Sequence, residues 1–348
     1  MSYASLLPPN ALVNVNIWWL CAITFGLAAL ACALVTPFVR KMAFALGVFD
    51  EPGDDRRVHA HPTPRLGGIA IYVGFMLSLF TVLNLALTHT SEIRRYLSYQ
   101  DLAHIIGLLF GGTLMLGVGL WDDIMSMSPR RKFLAQLAVS AVAVILYGFT
   151  IVDVRMPKFG YLDLTWFAIP FSLFWYMGMV NAINFLDGLD GLVAGVSLIA
   201  SVTLVVVSLW HNQYLVAITM CALAGAMAGF LPYNYNPARI FMGDGGSLFI
   251  GFVLASAAVM GTEKKAVAIS LIIPLLVLAL PIVDTAATIF RRMRRGAPIF
   301  SPDRGHVHHQ LLDLGLSQRQ AVNLIYAVCC LLGAIALVLS RPGGPHLL

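Results

Sequence analysis

The sequence predicts an all-α, polytopic integral membrane protein of about ten transmembrane helices. Three observations carry this. Of the 348 residues, 59% are hydrophobic and 11% charged, against about 25% charged in an ordinary soluble domain. The apolar residues gather in long runs, and a helix needs about 20 of them to cross the hydrocarbon core. The basic residues fall mostly on one side of those runs. A soluble globule, a secreted disulfide scaffold and a disordered chain are excluded.

The runs lie at 17–39, 66–87, 102–121, 133–152, 164–183, 192–210, 213–231, 245–260, 266–290 and 321–340. Residues 1–16 contain no Lys or Arg, so the charged n-region of a signal peptide is missing and the first run reads as a retained span. The second enters behind Arg65 and the Gly67-Gly68 pair. The third ends on Trp121-Asp122-Asp123, and the fourth opens behind Arg130-Arg131-Lys132. The fifth and sixth are joined by Asn181 to Gly191, and the eighth starts from Phe241 to Ser247. The ninth stops against Arg291 to Arg295. The five cysteines all fall in apolar runs, which suits buried small hydrophobes better than disulfides or metal ligands. There is no strict repeat, low-complexity tract or soluble insert. Residues 1–348 therefore read as one membrane-embedded domain, with polar loops near 40–65, 122–132, 184–191, 232–246 and 291–320.

Ten spans place both ends on one side. With the N- and C-termini outside, the inner loops hold 15 of the 22 basic residues, including Arg40, Lys41, Arg130, Arg131, Lys132 and the Arg291 to Arg295 run. The net charge of +5 then records cytoplasm-facing loops rather than nucleic-acid binding. Twelve of the 17 acids share that face. Several stand at span ends among glycines and apolar residues, where a carboxylate is costly unless a cation or donor meets it. Carboxylates and cations on one face read as a cleft for a metal-bound, phosphate-bearing substrate.

Asp122 and Asp123 repel each other, so a metal, an ammonium or a raised pKa must stabilise them. They read as a general base or metal site, or as a charged interfacial loop. Asn181, Asn184, Asp187 and Asp190 recur every three residues, a spacing that puts four oxygen-bearing side chains on one side of a helical turn. Such oxygens suit Mg²⁺ or Mn²⁺; Asp and Gly as simple turn formers are the alternative. Gly243-Asp244-Gly245-Gly246-Ser247 lets backbone approach an anion at a helix N-terminus. It is not a Walker A loop, since no Gly-Lys-Ser/Thr follows. Ser301-Pro-Asp303-Arg304-Gly-His306-Val-His308-His309 lacks paired zinc-ligand spacing, and its imidazoles and guanidinium suit a diphosphate or sugar hydroxyls. Arg291 to Arg295 reads as a stop-transfer anchor at anionic lipid. Asp284, about 10 Å up a helix from it, is an intramembrane acid of supporting rank.

Five segments together resemble the polyprenyl-phosphate N-acetylhexosamine-1-phosphate transferase family: H-x-x-P-x-P-R-L-G-G (59–68), W-D-D (121–123), N-A-I-N-F-L-D-G-L-D-G-L (181–192), N-P-A-R-I-F-M-G-D-G-G-S (236–247) and S-P-D-R-G-H-V-H-H (301–309). The last is similar to the branch that transfers GlcNAc-1-phosphate to undecaprenyl phosphate, which starts O-antigen, enterobacterial common antigen or teichoic acid synthesis. The resemblance implies a multi-pass protein of the bacterial cytoplasmic membrane with an inward-facing cleft. Its substrates would be UDP-GlcNAc and undecaprenyl phosphate, its product undecaprenyl-diphosphate-GlcNAc with UMP, and its cofactor Mg²⁺. The related fold often pairs as a dimer.

Carried over residue by residue, the resemblance gives Asp244 and Asn184 the metal. Asp122 becomes the base or positioning group for the lipid phosphate, supported by Asp123, and Asp244 joins them as catalytic. Lys132 and Arg65 balance phosphate charge. Asn181, Asp187 and Asp190 serve nucleotide or metal-site orientation, while Arg304, His306, His308 and His309 meet the diphosphate–sugar. His59 and His61 stand where relatives often place Lys or Arg nearby. The rivals are a transporter or flippase for an anionic lipid, expected to show inverted repeats and mid-membrane charge, and a metal-dependent polyprenyl-diphosphate phosphatase, which would release inorganic phosphate instead of UMP.

Overall fold

The structure is a computed structural model that describes residues 17–50, 62–89, 99–156, 160–262, 276, 279–294 and 307–341. In chain order its helices are α1 (Ile17–Ala45), α2 (Gly67–His89), α3 (Tyr99–Met125), α4 (Pro129–Leu146), α5 (Ala168–Leu186) and α6 (Leu192–Trp210). They continue with α7 (Tyr214–Asn234), α8 (Gly243–Thr262), α9 (Ala279–Arg294), α10 (Val307–Asp313) and α11 (Gln318–Ser340). Two antiparallel ribbons lie outside the helices: β1 (Phe49–Asp50) pairs with β2 (Thr63–Pro64), and β3 (Asp153–Met156) with β4 (Gly160–Asp163).

Eight helices among the described residues are long and apolar enough to cross a membrane, against the ten crossings expected. The fourth run falls short because α4 starts with Pro129 and three cations and ends at Leu146, so its 18 residues carry too short an apolar stretch. Most of the ninth run before Ala279 lies outside the described residues, and α9 carries Asp284, Arg291, Arg292 and Arg294. The expectation for the cysteines also needs one correction. Cys21, Cys32, Cys221 and Cys329 are buried, but Cys330 is exposed on α11, whose outer face meets lipid.

α8 is the axis of the bundle. Its apolar window is 94% buried, whereas those of α1 and α11 are 28% buried. α3, α5, α2 and α7 pack around it. A helix apolar on every side belongs in the interior, and α8 reads that way. Trp18, Leu30, Leu34 and Phe38 on α1 stay exposed, as befits a helix that faces hydrocarbon. Lipid offers no hydrogen-bond partner, so interior polar tips must find one in protein. Tyr176 on α5 donates to Ser256 Oγ at 2.9 Å, and Trp175 Nε1 donates to the Ala255 carbonyl at 3.2 Å, joining α5 to α8.

One close approach fixes where α8 begins. A Cβ on Gly119 of α3 would lie 2.4 Å from the carbonyl of Asp244, so any larger residue would push the two backbones apart. Beside it, Phe241 N–H donates to the Pro64 carbonyl at 2.7 Å, while Gly67 and Gly68 N–H donate to Phe241 and Met242 carbonyls at 2.9 and 2.8 Å. These bonds bring Arg65 alongside the N-terminus of α8.

Candidate active site

Four helix ends meet at one face: α3 and α5 arrive by their C-termini, α4 and α8 by their N-termini. Asp122 and Asp123 sit in the last turn of α3, where the helix dipole disfavours acids, so their stabilisation has to come from elsewhere. Asp123 obtains it from α8. Its Oδ1 accepts the N–H of Asp244 and its Oδ2 the N–H of Gly245, both at 2.9 Å. A carboxylate at a helix start satisfies donors that have no partner inside the helix. Arg65 adds charge balance, with Nη2 3.7 Å from Asp123 Oδ1 and Nη1 3.4 Å from Asp50 Oδ1. The Asp123 side chain is fully buried. Replacing it with leucine is expected to uncap α8 and lower stability by about 1–2 kcal/mol, read as a drop in the melting temperature of the purified protein.

Lys132, in the first turn of α4, is the hub. Its Nζ stands 2.8 Å from Asp244 Oδ2, 3.0 Å from Asp122 Oδ2 and 3.2 Å from Asn184 Oδ1. Burial works against its charge, but Asp244 and Asp122 outweigh it and hold the ammonium above the ordinary lysine value. Asn184 in turn donates from Nδ2 to Asp244 Oδ1 at 2.6 Å and to Ser247 Oγ at 2.9 Å. The other oxygen of Asp122 accepts the Met127 N–H at 2.6 Å, closing the turn between α3 and α4.

The one-sided stripe expected across 181, 184, 187 and 190 does not form. α5 stops at Leu186, so the chain leaves the helical path before the third member. Asn181 turns to α4, donating from Nδ2 to Gln136 Oε1 at 3.0 Å. Asp190 is buried and holds a loop: its Oδ2 accepts from Asn236 Nδ2 at 3.0 Å and from the Ala238 N–H at 2.9 Å. That loop is tied to the start of α11 through Asn236 and Gln318 at 2.6 Å and through Arg319, which donates to the Asn236 carbonyl at 2.9 Å.

Asp187 accepts no side-chain hydrogen bond among the described residues. Burial, then the charges of Asp244 and Asp123, push its carboxyl up to about 8, although Arg65 opposes them. A folded value above the ordinary 3.8 means the native state holds the extra proton between about pH 4 and 8, so stability falls as pH rises through that window. Asp187→Asn keeps the neutral shape. It should melt with the wild type near pH 4 and higher than the wild type at pH 9, checked by thermal unfolding in detergent.

Arg304 and His306 lie outside the described residues, and α10 carries His308 and His309 on its backbone. Asp284 Oδ1 accepts the Val307 N–H at 2.9 Å, which anchors the start of α10 to α9. Three partners were not singled out as site residues, although Ser247 and Asn236 lie inside the 236–247 motif: Gln136, Ser247 and Asn236. The first two stand four and three residues beyond Lys132 and Asp244, so helical spacing carried their signal.

No group of three or more His, Cys, Asp or Glu among the described residues is arranged to hold a metal. The oxygens of Asp122, Asp244 and Asn184 around the Lys132 ammonium are nonetheless hard donors of the kind Mg²⁺ takes. Mg²⁺ typically uses one or two carboxylates and completes its shell with water and substrate phosphate.

Residues 105–262 match the model of glycosyl transferase family 4. The chain is 34% identical over 321 residues to a probable undecaprenyl-phosphate N-acetylglucosaminyl 1-phosphate transferase of Bacillus subtilis (strain 168), covering 91% of this chain and 84% of that protein. It is 34% identical over 326 residues to the decaprenyl-phosphate N-acetylglucosaminephosphotransferase of Mycobacterium tuberculosis (strain ATCC 25618 / H37Rv), covering 86% and 79%. It is also 30% identical over 311 residues to the undecaprenyl-phosphate alpha-N-acetylglucosaminyl 1-phosphate transferase of Escherichia coli (strain K12), again covering 86% and 79%. With eight helices long and apolar enough to cross a membrane, four helix ends meeting at a Lys–Asp–Asn cluster, and relatives aligned along most of its length, the chain belongs to glycosyl transferase family 4.

Proposed function

We propose that this protein transfers GlcNAc-1-phosphate from UDP-GlcNAc to undecaprenyl phosphate at the cytoplasmic face of a bacterial inner membrane. An oxygen of the lipid phosphate bonds to the sugar-bearing phosphorus of the donor. The bond from that phosphorus to the bridging oxygen breaks, and UMP leaves with the electron pair. The observation that carries the reading is the cluster in which one ammonium lies within 3.2 Å of two carboxylates and an amide oxygen at the meeting point of four helix ends. Two anionic phosphates must approach each other in this reaction, so fixed positive charge and a cation site are what the chemistry demands. The activities for which the Bacillus subtilis and Escherichia coli relatives are named support the same reaction class and lipid.

Each residue then has a task. Asp244 and Asn184, with Asp122 adjacent, would hold Mg²⁺, which when bound neutralises phosphate charge and polarises the phosphoryl oxygens. Lys132 supplies a compact positive charge for phosphate, and Arg65 a second one at the rim. Asp122 positions the acceptor. Asp123 acts through α8, because both its oxygens hold the backbone that presents Asp244. Asp187 lines the approach just past the end of α5, while Asn181 braces α5 against α4 through Gln136. Asp190 shapes the 234–238 loop, and Arg304, His306, His308 and His309 meet the diphosphate–sugar from the segment that Asp284 anchors.

The test is UMP release from the purified protein given undecaprenyl phosphate and UDP-GlcNAc, with and without Mg²⁺. Release that needs lipid and metal establishes the reaction, and a panel of UDP-GlcNAc, UDP-GalNAc and UDP-MurNAc-pentapeptide with undecaprenyl and decaprenyl acceptors assigns sugar and lipid. A folded protein that releases no UMP from any pair would overturn the reading.

A further inference from the structure

Beneath the Lys132 cluster lies a second polar crosslink between the same two helices. Lys132 and Gln136 are four residues apart on α4, and Asn184 and Asn181 are three apart on α5, so each pair shares a helix face. The upper link runs from Lys132 Nζ to Asn184 Oδ1 at 3.2 Å, and the lower from Asn181 Nδ2 to Gln136 Oε1 at 3.0 Å. Asn181 Nδ2 also donates to the Met177 carbonyl at 2.8 Å, which pins its amide against its own helix. Gln136 is 0% exposed, and its Nε2 has no hydrogen-bond partner among the described residues.

An amide buried with an unpaired donor is destabilising, and an apolar side chain of similar length would avoid that penalty. Gln136 therefore carries a buried, unpaired donor that methionine, of similar length, would not. What the amide supplies instead is the acceptor for Asn181, and so a fixed rotation of α4 against α5. That rotation sets where Lys132 and Asn184 meet Asp244, one turn closer to the membrane surface.

We propose that Gln136 is a positioning residue for the Lys132–Asn184–Asp244 cluster, acting through Asn181. The proposal rests on the transferase reading above. It gives Asn181 a place in the scaffold that holds the site, one layer below the side chains that face phosphate.

The experiment measures kcat, KM for both substrates and melting temperature for the full-length wild type, Gln136→Met, Asn181→Leu and the double variant. A small misplacement of reacting groups costs up to about 100-fold in rate, so Gln136→Met should lower kcat by about 10- to 100-fold. Both KM values should stay within about threefold of wild type, as for a residue that does not touch substrate. Its melting temperature should equal or exceed that of the wild type, which a merely structural residue would not give. The double variant should be no slower than Asn181→Leu, since the two side chains act as one unit. A kcat close to wild type, a loss of activity matched by a lower melting temperature, or a raised KM at unchanged kcat would each overturn the proposal. A wild type that releases no UMP would overturn the transferase reading and this proposal together, whereas equal activity in wild type and Gln136→Met overturns the proposal alone.

Discussion

Asp244→Asn is expected to lower UMP release by about 1,000-fold or more while leaving the protein folded. Among the described residues, Asp244 is the one side chain that both Lys132 and Asn184 reach, through Oδ2 at 2.8 Å and Oδ1 at 2.6 Å. Asparagine keeps the size and one oxygen but removes the negative charge that these donors and a divalent cation answer. The first turn of a helix favours an anion by only about 0.3–1 kcal/mol, so α8 should survive the change. Its capping bonds from Asp123 go to backbone N–H groups of residues 244 and 245 and do not involve the substituted side chain. UMP release and the melting temperature of the same preparation decide the matter. Activity within about tenfold of wild type would remove Asp244 from the reaction.

Lys132→Met should be nearly as damaging, with a loss of about 100- to 1,000-fold in kcat. The ammonium is shared by Asp122 at 3.0 Å and Asp244 at 2.8 Å. Without it two carboxylates face one another inside the protein, which also lowers stability. Added Mg²⁺ should restore part of the melting temperature in this variant, because a divalent cation answers the same oxygens and binds only the folded chain. Lys132→Arg is not expected to rescue activity. Three oxygens converge on one nitrogen within 3.2 Å, and a planar guanidinium spreads its donors over a fork that cannot sit at that point. Rescue by arginine to near wild-type rate would show that charge alone suffices there.

Much of the site is legible in the sequence. Asp122 and Asp244 stand out as charges at the ends of apolar runs, where an unassisted charge is costly, Asn184 by its three-residue spacing to other polar residues, and Lys132 by the family resemblance. The structure brings these four together, with Lys132 and Asp244 in contact across 112 residues of chain. Asn181, Asp187 and Asp190 were marked by the same reasoning but part company. A three-residue repeat places side chains on one face only while the helix continues, and α5 ends at Leu186. Asp123 shows a different limit. Beside Asp122 it reads as one of a catalytic pair, yet its two oxygens are bound to the backbone of another helix. Gln136 could have been found from its spacing to Lys132, but a single glutamine in an apolar run carries no chemistry of its own to single it out.

The sequence by itself determined that this is a polytopic membrane protein, which of its residues bear charge at the ends of the spans, and the family those motifs resemble. Composition and run length fix the first two, because the bilayer imposes its thickness and its intolerance of charge on every segment separately, while the five motifs carry the resemblance. Only the tertiary structure decided which carboxylate is capped, which faces the ammonium and which holds a loop. Those assignments depend on where each helix stops and which helix end it meets, and such pairings are set by packing around α8 rather than by local pattern.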